Sequence, residues 1–262
     1  MLAIYHRTAA ILWRTWTTND DYSHGPLVPL VSLAIAWSAR DRIGTLPLRA
    51  DARGLALVMI ASALQIAGMR SDVFALQGYS LVAMLFGLSW TFLGAPRTRA
   101  LAFPLGYLVF MLTFPPVVMN QIGYALKEIT VQISTRVAEA LGAQLQRTGM
   151  TLYLATGEMR IENPCSGLRS LLALLATTTA FAYFQPGAWW RRVALVLAGV
   201  PIAVAGNALR ITALILVGHY AGVNRVTGTL HTGLGYVVYG VALAALFGMR
   251  WLLTPRPAAD ES

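Results

Sequence analysis

The chain has 262 residues, of which 56% are hydrophobic and only 12% charged, with a formal charge of +9. Those proportions exclude an ordinary water-soluble domain and point to a chain dissolved in lipid. They also argue against nucleic acid as a partner: Lys127 is the only Lys among the 20 basic residues, and the arginines sit in short clusters between apolar runs rather than on one polar face.

Residues 1–17 carry Arg7 and Arg14 among apolar positions, with Trp13 and Trp16 near one end. No uninterrupted apolar core leads to a small-residue cleavage site, so no cleavable signal peptide is expected, and the two arginines with the tryptophans near one end favour an amphipathic helix at the membrane interface over an eighth crossing. A bilayer core about 30 Å thick calls for roughly 20 apolar residues per crossing. Runs that approach this length occupy approximately residues 26–39, 54–70, 73–94, 100–118, 166–184, 193–218 and 232–250. The expected fold is therefore all-α, a polytopic helical bundle of about seven or eight transmembrane helices. Residues 119–165 form one polar excursion. Within it Ile122, Leu126, Ile129, Ile133, Val137 and Leu141 recur at helical spacing, which predicts a surface-lying amphipathic helix. The alternation around Thr156-Gly157 predicts a short hairpin or two extended strands over 151–161. No internal repeat is present.

Orientation follows from the arginines, because short cytoplasmic loops are enriched in them. Arg40, Arg42, Arg49 and Arg53 fill one loop, and alternate crossings bring Arg97 and Arg99, Arg191 and Arg192, and Arg250 and Arg256 to the same side. The C-terminus is expected in the cytoplasm, with residues 119–165 on the outer face.

Three residues stand out chemically. Pro164 cannot sit inside a helix, so the fifth crossing is expected to begin near Cys165, with Asn163 or Ser166 as its cap. A thiol at a helix N-terminus is favoured as thiolate, and Arg169 adds positive charge one turn on. A lone cysteine is otherwise a small buried hydrophobe. Arg210 interrupts an apolar stretch where a central charge costs about 2.5 to 3.5 kcal/mol. It lies roughly 25 Å along a helix from Arg191 and Arg192, so it emerges at the outer surface, the same face as Cys165. His231, immediately before the last crossing and flanked by Thr232, Gly233 and Gly235, reaches that face as well. A thiol, a base and a fixed cation are the set that nucleophilic acyl transfer requires.

Asn163-Pro-Cys-Ser-Gly-Leu-Arg169, Asn207-Ala-Leu-Arg-Ile211 and His231-Thr-Gly-Leu-Gly235, with Tyr22-Ser-His-Gly-Pro-Leu-Val-Pro29 ahead of them, resemble the exosortase and archaeosortase family. The resemblance runs from about Trp13 to the last crossing and implies a single membrane domain over residues 1–262, of the exosortase type without a further C-terminal domain. It implies Cys165 as nucleophile, Arg210 as catalytic arginine and His231 as catalytic histidine. His24, Asn163, Ser166, Gly167, Arg169 and Asn207 then support or position substrate. The implied partners are membrane-anchored proteins ending in a tripartite sorting signal, a short Pro-Glu-Pro-like motif followed by a transmembrane helix and a basic cluster. The implied activity is that of a thiol transpeptidase or protease at the extracytoplasmic face of the inner membrane, acting through a thioacyl intermediate on Cys165.

No metal and no cofactor are expected, since the four histidines are dispersed and Cys165 has no partner cysteine. The competing reading is a non-enzymatic transporter or scaffold of envelope polysaccharide synthesis, which an intramembrane Arg and the helix-interrupting Pro104, Pro115, Pro116 and Pro201 also fit.

Overall fold

The computed structural model describes residues 2–161, 167–226 and 228–254, and at Leu2, Ala3 and His231 the backbone only. These residues form ten α-helices and three short strands, divided between two compact units, Met1–Pro116 and Val117–Ser262.

The first unit contains α1 (Leu2–Thr18), α2 (Leu27–Ser38), α3 (Arg40–Thr45), α4 (Arg53–Arg70), α5 (Phe74–Ala100) and α6 (Ala102–Tyr107). α4 and α5 pair because small residues let their backbones touch: a Cβ on Gly54 would fall 2.5 Å from the Thr91 amide, and one on Gly87 2.9 Å from that of Val58. The structure modifies the expectation for residues 1–17. α1 buries Tyr5, Thr8 and Leu12 against α4 and α5, while Arg7 and Arg14 are exposed. Tyr5 donates to the Ser80 carbonyl at 3.1 Å and Thr8 to Gln77 Oε1 at 3.3 Å. Gln65 of α4 donates to Thr8 Oγ1 and accepts from Ser80 Oγ, each at 2.8 Å. Partners descend along α5 as residues ascend along α1, so the two helices run antiparallel in a register set by buried hydrogen bonds.

The predicted crossing at 100–118 is not one helix. α6 passes into a 3-10 turn, Leu108–Met111, and stops before Pro115-Pro116, where neither proline carries an amide hydrogen and each disfavours helical geometry in its predecessor. The Tyr22–Pro26 motif grips this break. Phe114 donates its amide to the Tyr22 hydroxyl at 3.1 Å, His24 Nε2 bonds the Phe110 carbonyl at 3.2 Å, and Trp16 Nε1 donates to the Met111 carbonyl at 2.9 Å.

The second unit holds α7 (Pro116–Ala140, its first residue at the boundary), β1 (Leu145–Thr148), β2 (Thr151–Leu154), β3 (Gly157–Arg160), α8 (Leu168–Tyr183), α9 (Trp189–Ala221) and α10 (Gly228–Leu253). The hairpin is a three-stranded antiparallel sheet with Leu152 opposite both Arg147 and Met159, so β1 adds a strand to the prediction. α9, 33 residues and about 50 Å long, threads two cores. One end packs with α8 and α10 through Leu171, Leu174, Ala203, Ala242 and Leu246. The other end packs Ile211, Leu214 and Ile215 under Leu152, Leu154 and Met159 of the sheet and Val131 and Ala138 of α7.

α7 forms where periodicity predicts a helix, but the buried face differs. Ile122, Ile129, Ile133, Val137 and Leu141 turn outward, whereas Gly123, Thr130, Ser134 and Ala138 are buried. Ser134, fully buried, donates to the Ala208 carbonyl of α9 at 2.9 Å, a contact that a larger side chain would prevent.

Among the described residues three helices, α5, α9 and α10, are individually long and apolar enough to cross a bilayer, or four crossings if α6 with its 3-10 turn and α7 count as one broken span. The other expected crossings are shorter: α2 has 12 residues, α8 has 16, and α4 has 18 with Arg at both ends.

Candidate functional site

The site is built on α8, α9 and α10. The fifth predicted crossing starts at Leu168, later than its motif suggested, with Gly167 rather than Asn163 or Ser166 in the N-cap position. Gly167 has φ +78° and ψ 0°, a left-handed conformation that ends any helix arriving from the N-terminal side and that glycine adopts at little cost. Its carbonyl accepts the first helical bond, from the Leu171 amide at 2.9 Å, and a second from Ser170 Oγ at 2.8 Å.

Asn207 of α9 lies directly against this cap. A Cβ on Gly167 would fall 2.8 Å from Asn207 Nδ2 and 3.0 Å from Cγ, so only glycine permits the approach. One turn further along α9, Arg210 is half-buried over the backbone of α10. A Cβ on Gly235 would come within 3.5 Å of Arg210 Cζ and 3.7 Å of Nη1. His231 begins the turn of α10 that ends at Gly235. The charge of Arg210 is thus neither at a helix end nor in the middle of the apolar bundle: it marks where α9 leaves the α8–α10 core and enters the core under the sheet.

Contacts within the second unit therefore join residues from three separated motifs: Gly167 to Asn207, and Arg210 to Gly235. Arg169 is exposed in the first turn of α8. Asn163, Cys165 and Ser166 lie outside the described residues, as does the side chain of His231. The chain is anchored on both sides of the cysteine. Ile161 is buried and its amide donates to the Met150 carbonyl at 2.9 Å, and Gly167 is fixed by Asn207. His24 is held within the first unit, on the Phe110 carbonyl.

Beneath Arg210 the three helices border a partly open cavity of about 30 Å³. Ser170, Asn207 and Arg210 line one end, and Leu174, Ile202 and Ala203 the other. Ser170 and Gly206, both at this cavity, carried no signal in the sequence: a serine after a motif and a glycine inside an apolar helix are ordinary, and only helix packing gives them a role.

The family model described as Transmembrane exosortase matches residues 16–248, nearly the whole chain and all of the motifs. The chain belongs to the transmembrane exosortase family. No curated protein and no solved structure matches it. Exosortase membership, with the apolar helices above, makes this a multi-pass membrane protein of a family that processes sorting signals.

Proposed function

We propose that this exosortase is a thiol transpeptidase or protease in which Cys165 is the nucleophile, His231 the base and Arg210 the cation that stabilises the oxyanion. The observation that carries the reading is the contact of Gly167 with Asn207 and of Arg210 with Gly235, which draws three motifs distant in sequence to one end of one helix bundle. Gly167 follows Cys165 by two residues in the sequence.

In the first step His231 takes the thiol proton and Sγ attacks a backbone carbonyl carbon of the sorting tag. The C=O π pair moves to oxygen, where the Arg210 guanidinium and the positive end of α8 favour the new charge. Collapse of the adduct breaks the C–N bond, and the departing amine takes the proton from the imidazolium. A thioester on Cys165 remains. An acceptor amine or water then attacks the thioester carbon and gives its proton to His231; the C–S bond breaks and the thiolate leaves beside the imidazolium, giving transpeptidation or hydrolysis.

The reaction face is extracytoplasmic and the C-terminus cytoplasmic. In support, the arginines of the expected cytoplasmic side gather at the far end of the same bundle. Arg191 donates to the Leu253 carbonyl at 3.1 Å, Arg192 to that of Gln185 at 3.1 Å, and Arg250 lies 5.7 Å from the Phe181 ring. The substrates are membrane-anchored proteins bearing the tripartite C-terminal signal.

The test is processing of a tagged substrate in cells, comparing wild type with Cys165→Ala and Cys165→Ser. Loss in both by orders of magnitude, with a substrate fragment recovered on wild-type Cys165 by mass spectrometry, is the expected result. Normal processing by both variants would replace this reading with the transporter or scaffold.

A further inference from the structure

We propose that the cavity beneath Arg210 is the subsite for the substrate side chain next to the scissile carbonyl, and that it selects a small aliphatic residue. The inference rests on the thiol mechanism above and adds a specificity to it.

Polarity is graded along the cavity. Ser170, Asn207 and Arg210 sit at the end that faces the Gly167 cap, while Leu174, Ile202 and Ala203 close the opposite end inside the helix bundle. A peptide whose carbonyl oxygen meets Arg210 would direct the attached side chain away from the cations and into the apolar end. The size limits what enters: an apolar cavity of about 150 Å³ accommodates a benzene ring, whereas this one, at about 30 Å³, has room only for a methyl to isopropyl group. Gly206 keeps the space open, since a Cβ there would already stand 3.1 Å from Val238 Cγ1. Ile202 is only partly buried and closes the apolar end with its side chain. The two residues control the volume from one helix without touching the reacting atoms.

The experiment uses the full-length protein in lipid nanodiscs and four acetyl-Ala-Ala-Xaa chloromethyl ketones, with Xaa Gly, Ala, Val or Phe. Each alkylates a thiolate with formation of an Sγ–C bond and loss of chloride, and the rate of adduct formation at Cys165 is read by mass spectrometry. A hydrophobic subsite discriminates by about tenfold or more per carbon. Wild type should therefore react with the Ala and Val probes at least about tenfold faster than with Phe. Gly206→Ala should shift the preference toward Gly. Ile202→Ala should raise the Phe rate about tenfold, a gain that misfolding cannot produce. The same order of rates in all three proteins, or a fastest reaction with Phe in wild type, overturns the subsite and leaves the thiol mechanism standing. No labelling of wild-type Cys165 by any probe overturns the thiol mechanism and the subsite with it.

Discussion

Replacing Gly167 by Ala perturbs the point where two motifs meet, and its cost follows from geometry. A Cβ in the left-handed region costs about 1–2 kcal/mol. The new atom would stand 2.8 Å from Asn207 Nδ2, closer than van der Waals contact, and Asn207 is only 4% exposed, so it must leave its rotamer within a packed helix face. That displacement adds about 0.5–1.5 kcal/mol. A total of roughly 1.5–3.5 kcal/mol corresponds to a loss of processing rate on the order of 10- to 400-fold if it falls on the reacting geometry. The assay is pulse-chase processing of a tagged substrate in cells, paired with thermal unfolding of the purified variant in nanodiscs. Gly240→Ala is the control, because its Cβ meets nothing within 4 Å on an exposed face of α10. Asn207→Ala added to Gly167→Ala should recover part of the lost stability by removing the collision, with the backbone strain unrelieved. Wild-type processing and an unchanged Tm for Gly167→Ala would refute the close approach of α8 and α9.

Further outcomes follow from the packing and the loop chemistry. Ser134→Ala removes the bond to the Ala208 carbonyl and should cost about 1 kcal/mol, whereas Ser134→Leu should separate α7 from α9 and lower Tm and processing together. Gln65→Leu leaves Thr8 and Ser80 without their shared partner in a fully buried network and should destabilise the first unit by about 1–3 kcal/mol, read as Tm. In the loop before α4, the Arg53 amide at 2.9 Å and Trp90 Nε1 at 3.0 Å both donate to the Asp51 carboxylate and hold its pKa below the ordinary 3.8. A depressed carboxylate stabilises the folded loop above its unfolded pKa, and the contribution fades as pH falls from about 4 through the lower folded value. The protection factors of the amides in residues 46–53, with the intrinsic pH dependence of exchange divided out, should therefore fall below about pH 4 in wild type. Asp51→Asn should remove that acid-dependent component.

Composition and periodicity are enough to specify an all-α membrane protein, because lipid imposes long apolar helices whatever the tertiary arrangement. The candidate residues were legible for a related reason. A charge inside an apolar run and a thiol after a proline are anomalies in any packing, so Arg210 and Cys165 could be singled out with no knowledge of their neighbours. Helix breaks were half-legible: Pro115-Pro116 announces an interruption, yet the grip of Tyr22, His24 and Trp16 on the exposed carbonyls is a matter of side-chain placement. The tertiary structure alone decided which face of α7 is buried. An apolar stripe marks the core side of a helix only when the other side meets water. The stripe of Ile122, Ile129 and Ile133 is left facing outward, and close approach of backbones within the second unit favours the small and hydroxyl-bearing face of Gly123, Thr130, Ser134 and Ala138. The same preference for close approach explains Gly167, Gly206 and Gly235, since what matters at each is the neighbour that a missing side chain admits.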